Sequence, residues 1–198
     1  MNRGAATLLS ILADGEFHSG QSLARQLGVT RAAIWKSVRQ LQSFGLDIDA
    51  VHGKGYCLER PLELLSERNI VAGLSASARK QLPQITILFS TESTNSYLMQ
   101  ELADNPVQTR VVIAEHQSSG RGRRGNQWLS PLGSGLYLSV SWHFNRSLSD
   151  LALLSLYVGV AIVRALRHIG VRQAALKWPN DIFVDDKKLC GVLIEMKV

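Results

Sequence analysis

The stretch Gly120-Arg121-Gly122-Arg123-Arg124-Gly125-Asn126-Gln127-Trp128 limits what this chain can become more than any other part of it. Its glycines let the backbone approach a ligand closely and take positive φ. Its arginines offer planar forks suited to phosphate and carboxylate, and Trp128 closes the stretch with an apolar or stacking surface. The spacing of Gly120, Gly122 and Gly125 matches the dinucleotide fingerprint G-x-G-x-x-G, which demands a helix directly after the glycines to receive a pyrophosphate. Here an apolar run, Val111-Val112-Ile113-Ala114, leads in, a turn-rich Leu129–Gly135 follows, and Leu136–Trp142 then reads as a strand. Strand–loop–strand is wrong for a Rossmann unit. It resembles the glycine-rich loop of protein kinases, but the partner motifs H-R-D and D-F-G are absent from the sequence. Arginine–glycine segments that bind RNA are longer and repetitive. On the loop alone, a cradle for a polyanion and a solvated basic loop both stay open.

The 198 residues allow one large domain or two small ones with true cores. A formal charge of +6 favours anionic partners, nucleic acid or nucleotide, without choosing between them. Cys57 and Cys190 lie far apart and in no metal-ligand spacing, which points to a reducing compartment and no disulfide framework. No apolar segment near the N-terminus has the length of a signal peptide or a membrane span, so the expected location is cytoplasmic, with no membrane partner.

The N-terminal third reads as three short helices. Leu8, Leu9, Ile11 and Leu12 make Ala5–Ala13 amphipathic; Ser19 caps a second helix reaching Leu27; Gly28-Val29-Thr30 turns into a third over Arg31–Phe44, with Ile34, Val38 and Leu41 inward and Gly45 at its end. Two helices joined by a short glycine turn make a helix-turn-helix whose second member is the candidate reader of a major groove. Its outward Thr30, Arg31, Lys36, Ser37, Arg39 and Gln40, with Ser22 of the preceding helix, are phosphate-seeking and base-edge-seeking. Leu46–Val51, the tip His52-Gly53-Lys54-Gly55 and Tyr56–Glu59 then form a hairpin, the wing, with Lys54 at its tip. Through Pro61 the seven Lys/Arg exceed the five Asp/Glu by only two, so a lone copy should bind DNA modestly, and pairing on two half-sites would compensate.

Arg60-Pro61-Leu62 reads as a junction dividing 1–61 from 62–198. Beyond it come a helix over Leu64–Gly73 capped by Ser66, a strand at Ile85–Phe89, and a helix opened by Ser93-Thr94-Asn95, for which simple N-capping suffices as an explanation. Arg110–Gln117 is the strand entering the loop, with Gln117 at its mouth. Asp150–Ile169 is apolar around most of its circumference and reads as a core helix packed on a sheet. The remainder reads as a strand, a polar bend at Pro179-Asn180-Asp181, and a hairpin turned at Asp185-Asp186-Lys187, with Lys188 opening the returning strand.

Several of these segments, in order, carry a resemblance: Gly15-Glu16-Phe17-His18-Ser19-Gly20, Gly53-Lys54-Gly55-Tyr56, Ser93-Thr94-Asn95, the arginine–glycine stretch through Trp128, Lys177-Trp178-Pro179-Asn180-Asp181 and Lys188-Leu189-Cys190-Gly191. Across essentially the whole chain they resemble the bacterial family of bifunctional biotin–protein ligases and biotin operon repressors. The resemblance implies an α+β protein, in which a winged helix-turn-helix precedes a mixed-sheet, class II synthetase-like catalytic domain.

It also implies a two-step reaction. The biotin carboxylate attacks the α-phosphate of MgATP to give biotinyl-5′-AMP and pyrophosphate, and a lysine of biotin carboxyl carrier protein then attacks the mixed anhydride. Carried onto this sequence, Ser93, Thr94, Asn95 and Gln117 would hold the ureido ring, Gly120 would also belong to the biotin site, and Arg121, Gly122 and Arg123 would cover the biotin carboxylate and the phosphate. Lys188 would neutralise charge where the two anions meet; Arg121, Arg123 and Lys188 are the expected catalytic residues. Arg124, Trp128, Lys177, Asn180 and Asp181, with Arg123, would line the nucleotide, and Asp181 is also a candidate to assist the incoming lysine. No carboxylate cluster suggests a protein-built metal site, so Mg²⁺ should arrive with ATP. As a repressor the family uses the adenylate as corepressor, and two winged helices of a homodimer meet a palindromic operator.

One departure bears on activity. In the family the catalytic domain continues with another strand and a small β-barrel, whereas this sequence reads to Glu195-Met196-Lys197-Val198, so an exposed sheet edge or weaker folding is expected there. That leaves a second function in view, a sensor of biotin or its adenylate that binds DNA without turnover. A lipoate-type ligase is a third, disfavoured by the Gly-Arg-Gly-Arg-Arg-Gly form. The arginine–glycine loop itself is expected to be mobile when empty and to order on ligand.

Overall fold

A computed structural model describes residues 3–104, 108–144 and 153–196. Contacts divide it into two compact units: Met1–Gly120 with Leu129–Trp142, and Arg121–Trp128 with His143–Val198.

The first unit begins with α1 (Arg3–Leu12), α2 (Gly20–Leu27) and α3 (Arg31–Ser43). Ser19 and Thr30 cap the latter two as expected, each side-chain oxygen accepting the backbone N–H three residues on, from Ser22 and Ala33. Gly28 ends α2 at φ 64°, a left-handed geometry that returns its N–H to the helix carbonyls. Apolar positions three and four apart then face one another: Ala5, Leu8, Leu9, Leu12, Leu23, Ile34, Val38 and Leu41 are all but completely buried. Each of the leucine, isoleucine and valine side chains among them stabilises the fold by roughly 1.5–3 kcal/mol.

The wing is an antiparallel pair, β1 (Ile48–Val51) and β2 (Gly55–Leu58), whose register places Ile48 opposite Leu58 over the helices. It docks through two backbone hydrogen bonds exchanged between His18 and Tyr56, at 2.8 and 2.9 Å. Gly55 has φ +110°, and a side chain there would overlap the His18 carbonyl. The wing therefore sits against the α1–α2 turn only because glycine stands there.

Past Pro61 the chain stays in contact with this body. Leu62 donates its N–H to the Ala13 carbonyl (2.9 Å), and Leu62, Leu64 and Phe89 pack on the same apolar cluster, which also buries Leu132. α4 (Glu67–Gly73) carries the expected Ser66 cap, and a short α5 (Ala76–Gln81), not foreseen, is capped by Ser75. Next come β3 (Gln84–Leu88), α6 (Thr94–Asp104) and β4 (Arg110–Ala114), a parallel strand pair with its crossover helix. β7 (Tyr137–Val140) adds antiparallel to β4, giving the order β3-β4-β7 with α6 packed over β4 and β7.

The expected single strand Arg110–Gln117 is broken at Glu115-His116. β5 (Gln117–Arg121) leaves in a new pairing with β6 (Gln127–Ser130), so Leu129 and Ser130 are strand rather than turn. The break shows in the backbone hydrogen bonds: Glu115 N–H still bonds the Leu88 carbonyl, while the His116 carbonyl and the next backbone groups turn to Thr91 and Glu92.

In the second unit α7 (Leu154–His168) packs on the antiparallel sheet β10-β9-β8, formed by β8 (Ala175–Lys177), β9 (Asp181–Val184) and β10 (Lys187–Gly191). Asp185 and Asp186 turn the β9–β10 hairpin with φ of 47° and 60°, the mirror-image geometry that fits strand twist. The start of the expected helix, 150–152, lies outside the described residues. Its apolar circumference is not enclosed as expected: Gly159 and Val163 are buried, while Tyr157 (68 % exposed), Val160 and Ile169 face outward. A three-stranded sheet covers one face of a helix, and Gly159 lets α7 come close enough that a Cβ would meet Leu176.

Candidate functional site

In the first unit, two of the four residues expected to hold the ureido ring, Thr94 and Gln117, bond directly to one another. Gln117, the first residue of β5, accepts at Oε1 from the Thr94 backbone N–H (2.8 Å) and the Thr94 hydroxyl (3.1 Å). Its Nε2 donates to Ser130 Oγ at 3.0 Å, and Thr94 Oγ1 lies 2.8 Å from Ser139 Oγ. Ser93, Thr94 and Ser130 are buried, and Ser93 Oγ accepts the Ser96 N–H, so it does cap α6. Asn95 follows on the first turn, partly buried. The result is a cluster of hydroxyls and one amide at a helix N-terminus, where first-turn backbone N–H groups favour acceptor oxygens such as Gln117 Oε1 and Ser93 Oγ. Gly120, at the far end of this strand, is buried.

The arginine–glycine stretch is a tight hairpin rather than an open loop. Asn126 N–H reaches the Arg123 carbonyl and Gly122 N–H the Asn126 carbonyl, while Arg124 (φ 58°) and Gly125 (φ 76°) form the tip. Arg124 is exposed in a backbone geometry that non-glycine residues seldom adopt.

In the second unit the flanking cations are each held by a partner. Arg121 Nη2 is 2.9 Å from Glu195 Oε2, and Arg123 Nη1 donates to Asn180 Oδ1 at 3.1 Å. Asn180 is itself clamped across the bend, exchanging two bonds of 2.9 Å with the backbone of Val192. Next to it, Asp181 Oδ2 holds Lys188 Nζ at 2.8 Å, and that ammonium lies 5.2 Å from the centre of the Trp128 ring. Gly191 lies at this corner, where a Cβ would come within 3.4–3.5 Å of Lys188, Asp181 and Trp128. Asp181 Oδ1 is buried with no hydrogen-bond partner among the described residues, an acceptor left open to an incoming donor. Lys177 pairs with Asp181 across β8 and β9, and its ammonium lies 4.6 Å from the centre of the Phe183 ring. Among the described residues no group of three or more His, Cys, Asp or Glu could hold a metal.

On α3, Arg31, Lys36 and Arg39 are exposed and Ser37 and Gln40 partly so; Thr30 precedes the helix, Ser22 lies exposed on α2, and Lys54 tips the wing, 5.4 Å from the Phe17 ring centre. The sequence reading passed over Trp35, 58 % exposed on the same helix with the Arg39 guanidinium 6.0 Å from its ring centre. A large aromatic on the polar side of the helical period was its only signal.

Two more residues escaped that reading. Glu115 is buried and accepts the Leu65 N–H at 2.5 Å; burial raises its carboxyl above the ordinary value, against the lowering by that N–H. His116 hydrogen-bonds Ser90 through Nδ1 at 2.8 Å, and burial lowers it. Neither residue type at neighbouring positions of a strand signals such an environment.

Comparisons with known proteins give the family. Residues 88–198 match the model of the Biotin/lipoate A/B protein ligase family, and residues 5–57 match an HTH domain. The bifunctional ligase/repressor BirA of Escherichia coli is 40% identical over 189 residues, 96% of this chain and 57% of that protein. The same protein of Bacillus subtilis is 36% identical over 187 residues, covering 93% of this chain and 56% of its own. The chain thus spans a little over half the length of these curated relatives. Among solved structures, biotin protein ligase from Leishmania major in complex with biotinyl-5-AMP superposes with a TM-score of 0.53 at 30% identity, over 58% of this chain and 53% of that one. Biotin acetyl coenzyme A carboxylase synthetase from Helicobacter pylori, with bound biotinylated ATP, gives 0.51 at 29% over 58% and 56%. With more than half its length matched by the family model and a helix-turn-helix ahead of it, the chain belongs to the Biotin/lipoate A/B protein ligase family.

Proposed function

We propose that this chain is the helix-turn-helix and adenylate-forming part of a biotin–protein ligase and biotin-operon repressor, with residues 1–61 serving DNA and 62–198 the ligase. The observation that carries the reading is the set of three cations, Arg121, Arg123 and Lys188, each held in place by Glu195, Asn180 or Asp181. Joining a carboxylate to a phosphate requires two anions to approach, and cations fixed beforehand lower that barrier without reorganising during the reaction. In this reading Arg121, Gly122 and Arg123 cover the carboxylate and phosphate, and Lys188 stands where they meet. Trp128, Arg124, Lys177, Asn180 and Asp181 belong to the nucleotide. The hydroxyl–amide cluster of Ser93, Thr94, Asn95 and Gln117 serves the ureido ring of biotin, whose carbonyl and N–H groups match acceptors and donors of this kind, and Gly120 belongs to the same biotin site. Mg²⁺ arrives with ATP and neutralises the phosphates.

The relatives named ligase/repressor support extending the reading to a carboxyl carrier protein as biotin acceptor, to biotinyl-5′-AMP as corepressor and to a homodimer on operator DNA. Among the described residues no helix is long and apolar enough to cross a membrane, and the reading places the protein in the cytoplasm. The test is pyrophosphate release from MgATP by this chain with and without biotin. Biotin-dependent release with a biotinyl adenylate that hydroxylamine traps as the hydroxamate is the expected result; its absence, with biotin binding intact, rejects the ligase assignment.

A further inference from the structure

α3 reads Arg-Ala-Ala-Ile-Trp-Lys-Ser-Val-Arg-Gln-Leu-Gln-Ser and carries no carboxylate. Ile34, Val38 and Leu41 take its buried side. On the other side lie Arg31, Ala32, Lys36 and Arg39, all exposed, with Trp35 among them. Trp35, 58 % exposed in the first half of the helix, offers an apolar ring amid three cations, and a partner that takes the ring must also suit those cations. A second copy of this face does not, since α3 against α3 would set like charges together. Duplex DNA does: its phosphates answer the cations, and in its major groove the one apolar feature on any base edge is the 5-methyl of thymine.

We infer that Trp35 is a base-reading residue that takes a thymine methyl in the major groove, with Arg39 as its positioning residue. The assignment rests on the reading of α3 as a DNA reader and adds to the polar set an apolar contact with its own base preference. The geometry suits it. Residues in the N-terminal part of a recognition helix reach base edges, and Trp35 is one turn after Arg31. Arg39, one turn further on, lies over the indole at 6.0 Å, which limits the ring to few rotamers while leaving guanidinium N–H groups for a phosphate.

The test begins by selecting a binding sequence from a randomised duplex pool with the chain, in the presence of biotin and MgATP. Each thymine of the selected duplex is then replaced singly by deoxyuridine, which removes only the methyl. The expected result is one position in each half-site where uracil weakens wild-type binding about tenfold, and where Trp35→Ala binds thymine and uracil alike. Trp35→Ala should keep its affinity for unselected duplex within about twofold, because phosphate contacts supply that binding. Trp35→Phe should retain part of the methyl preference, and Arg39→Ala should blunt it while also lowering the salt dependence. Uracil effects that persist unchanged in Trp35→Ala overturn the inference and leave DNA binding standing. Failure of the wild type to enrich any sequence overturns both.

Discussion

The rings of Phe44 and His116 meet edge to face, their centroids 4.7 Å apart and their planes inclined by 70°. Phe44 is the residue on which α3 ends, and His116 immediately precedes Gln117. One ring contact therefore joins the helix that carries Trp35 to the strand that carries the hydroxyl–amide cluster. Phe44→Ala should lower stability by about 1–3 kcal/mol, less than the 3–5 of a fully enclosed phenylalanine because Phe44 is only half-buried. Thermal unfolding followed by circular dichroism checks it; an unchanged midpoint would show that the contact contributes nothing.

The neighbours Glu115 and His116 should give stability opposite pH slopes. Burial holds the His116 pKa below its ordinary 6.5, so the unfolded chain binds more protons, and His116 stability is lost as pH falls below that value. Burial raises Glu115 above 4.5, so the folded chain binds more protons, and its stability is lost as pH rises through the raised value. Relative to wild type, His116→Asn should gain as pH falls below about 6.5. Glu115→Gln, which keeps an acceptor for Leu65, should gain as pH rises above about 4.5. Urea unfolding from pH 4 to 8 decides, and parallel curves for wild type and variants would remove both assignments.

Gln117→Leu removes an acceptor from two Thr94 groups and a donor from Ser130 while roughly keeping the volume. Leaving buried partners unsatisfied should cost about 1–3 kcal/mol. If the cluster also holds biotin, the KM for biotin in pyrophosphate release should rise far more than that for ATP. Equal changes in both would place Gln117 outside the biotin site.

Lys188→Ala should do little to stability, since the Lys188–Asp181 pair is partly exposed and such pairs contribute only ~0–1 kcal/mol. Its effect on biotin-dependent pyrophosphate release should be a loss of about a hundredfold or more, in the range seen when one preorganised charge-stabilising group is removed. A variant that turns over normally would leave Lys188 as an ordinary strand residue beside an ion pair.

At the hairpin tip, Arg124 occupies φ 58°. Arg124→Gly should stabilise the fold or leave it unchanged, and Arg124→Val should destabilise it by about 1–2 kcal/mol, because a β-branched side chain is least compatible with left-handed backbone. If both variants melt alike, the tip does not hold this turn.

How far the sequence revealed these features depends on how local their causes are. Ser19, Thr30 and Ser66 stand three residues from the N–H groups they cap, so those helix starts could be read directly. The Asp185-Asp186 turn and the inward Ile34, Val38 and Leu41 follow from short-range patterns of the same kind. The break after Ala114 did not show, because Glu115 and His116 leave the strand for partners at Leu65, Thr91 and Ser90, distant in sequence. The exposure of α7 was hidden for a related reason: apolar content records what a helix could bury, and the strands offered to it decide how much it does bury. For the site, Thr94 and Gln117 were recognised as residues, but their mutual bonds, and the roles of Ser130 and Ser139, depend on strand pairing.

Leu132 lies seventy-one positions beyond Pro61, yet it shares one apolar interior with Leu8, Leu23 and Ile34. A fragment ending near Pro61 would carry an unfilled socket where Leu62, Leu64, Phe89 and Leu132 now sit. Such a piece would be sticky in isolation and poorly suited to transplantation as a cassette into an unrelated protein. Under the proposed function, damage to Leu132, a residue assigned to neither DNA nor ligand, should therefore surface as weakened DNA binding.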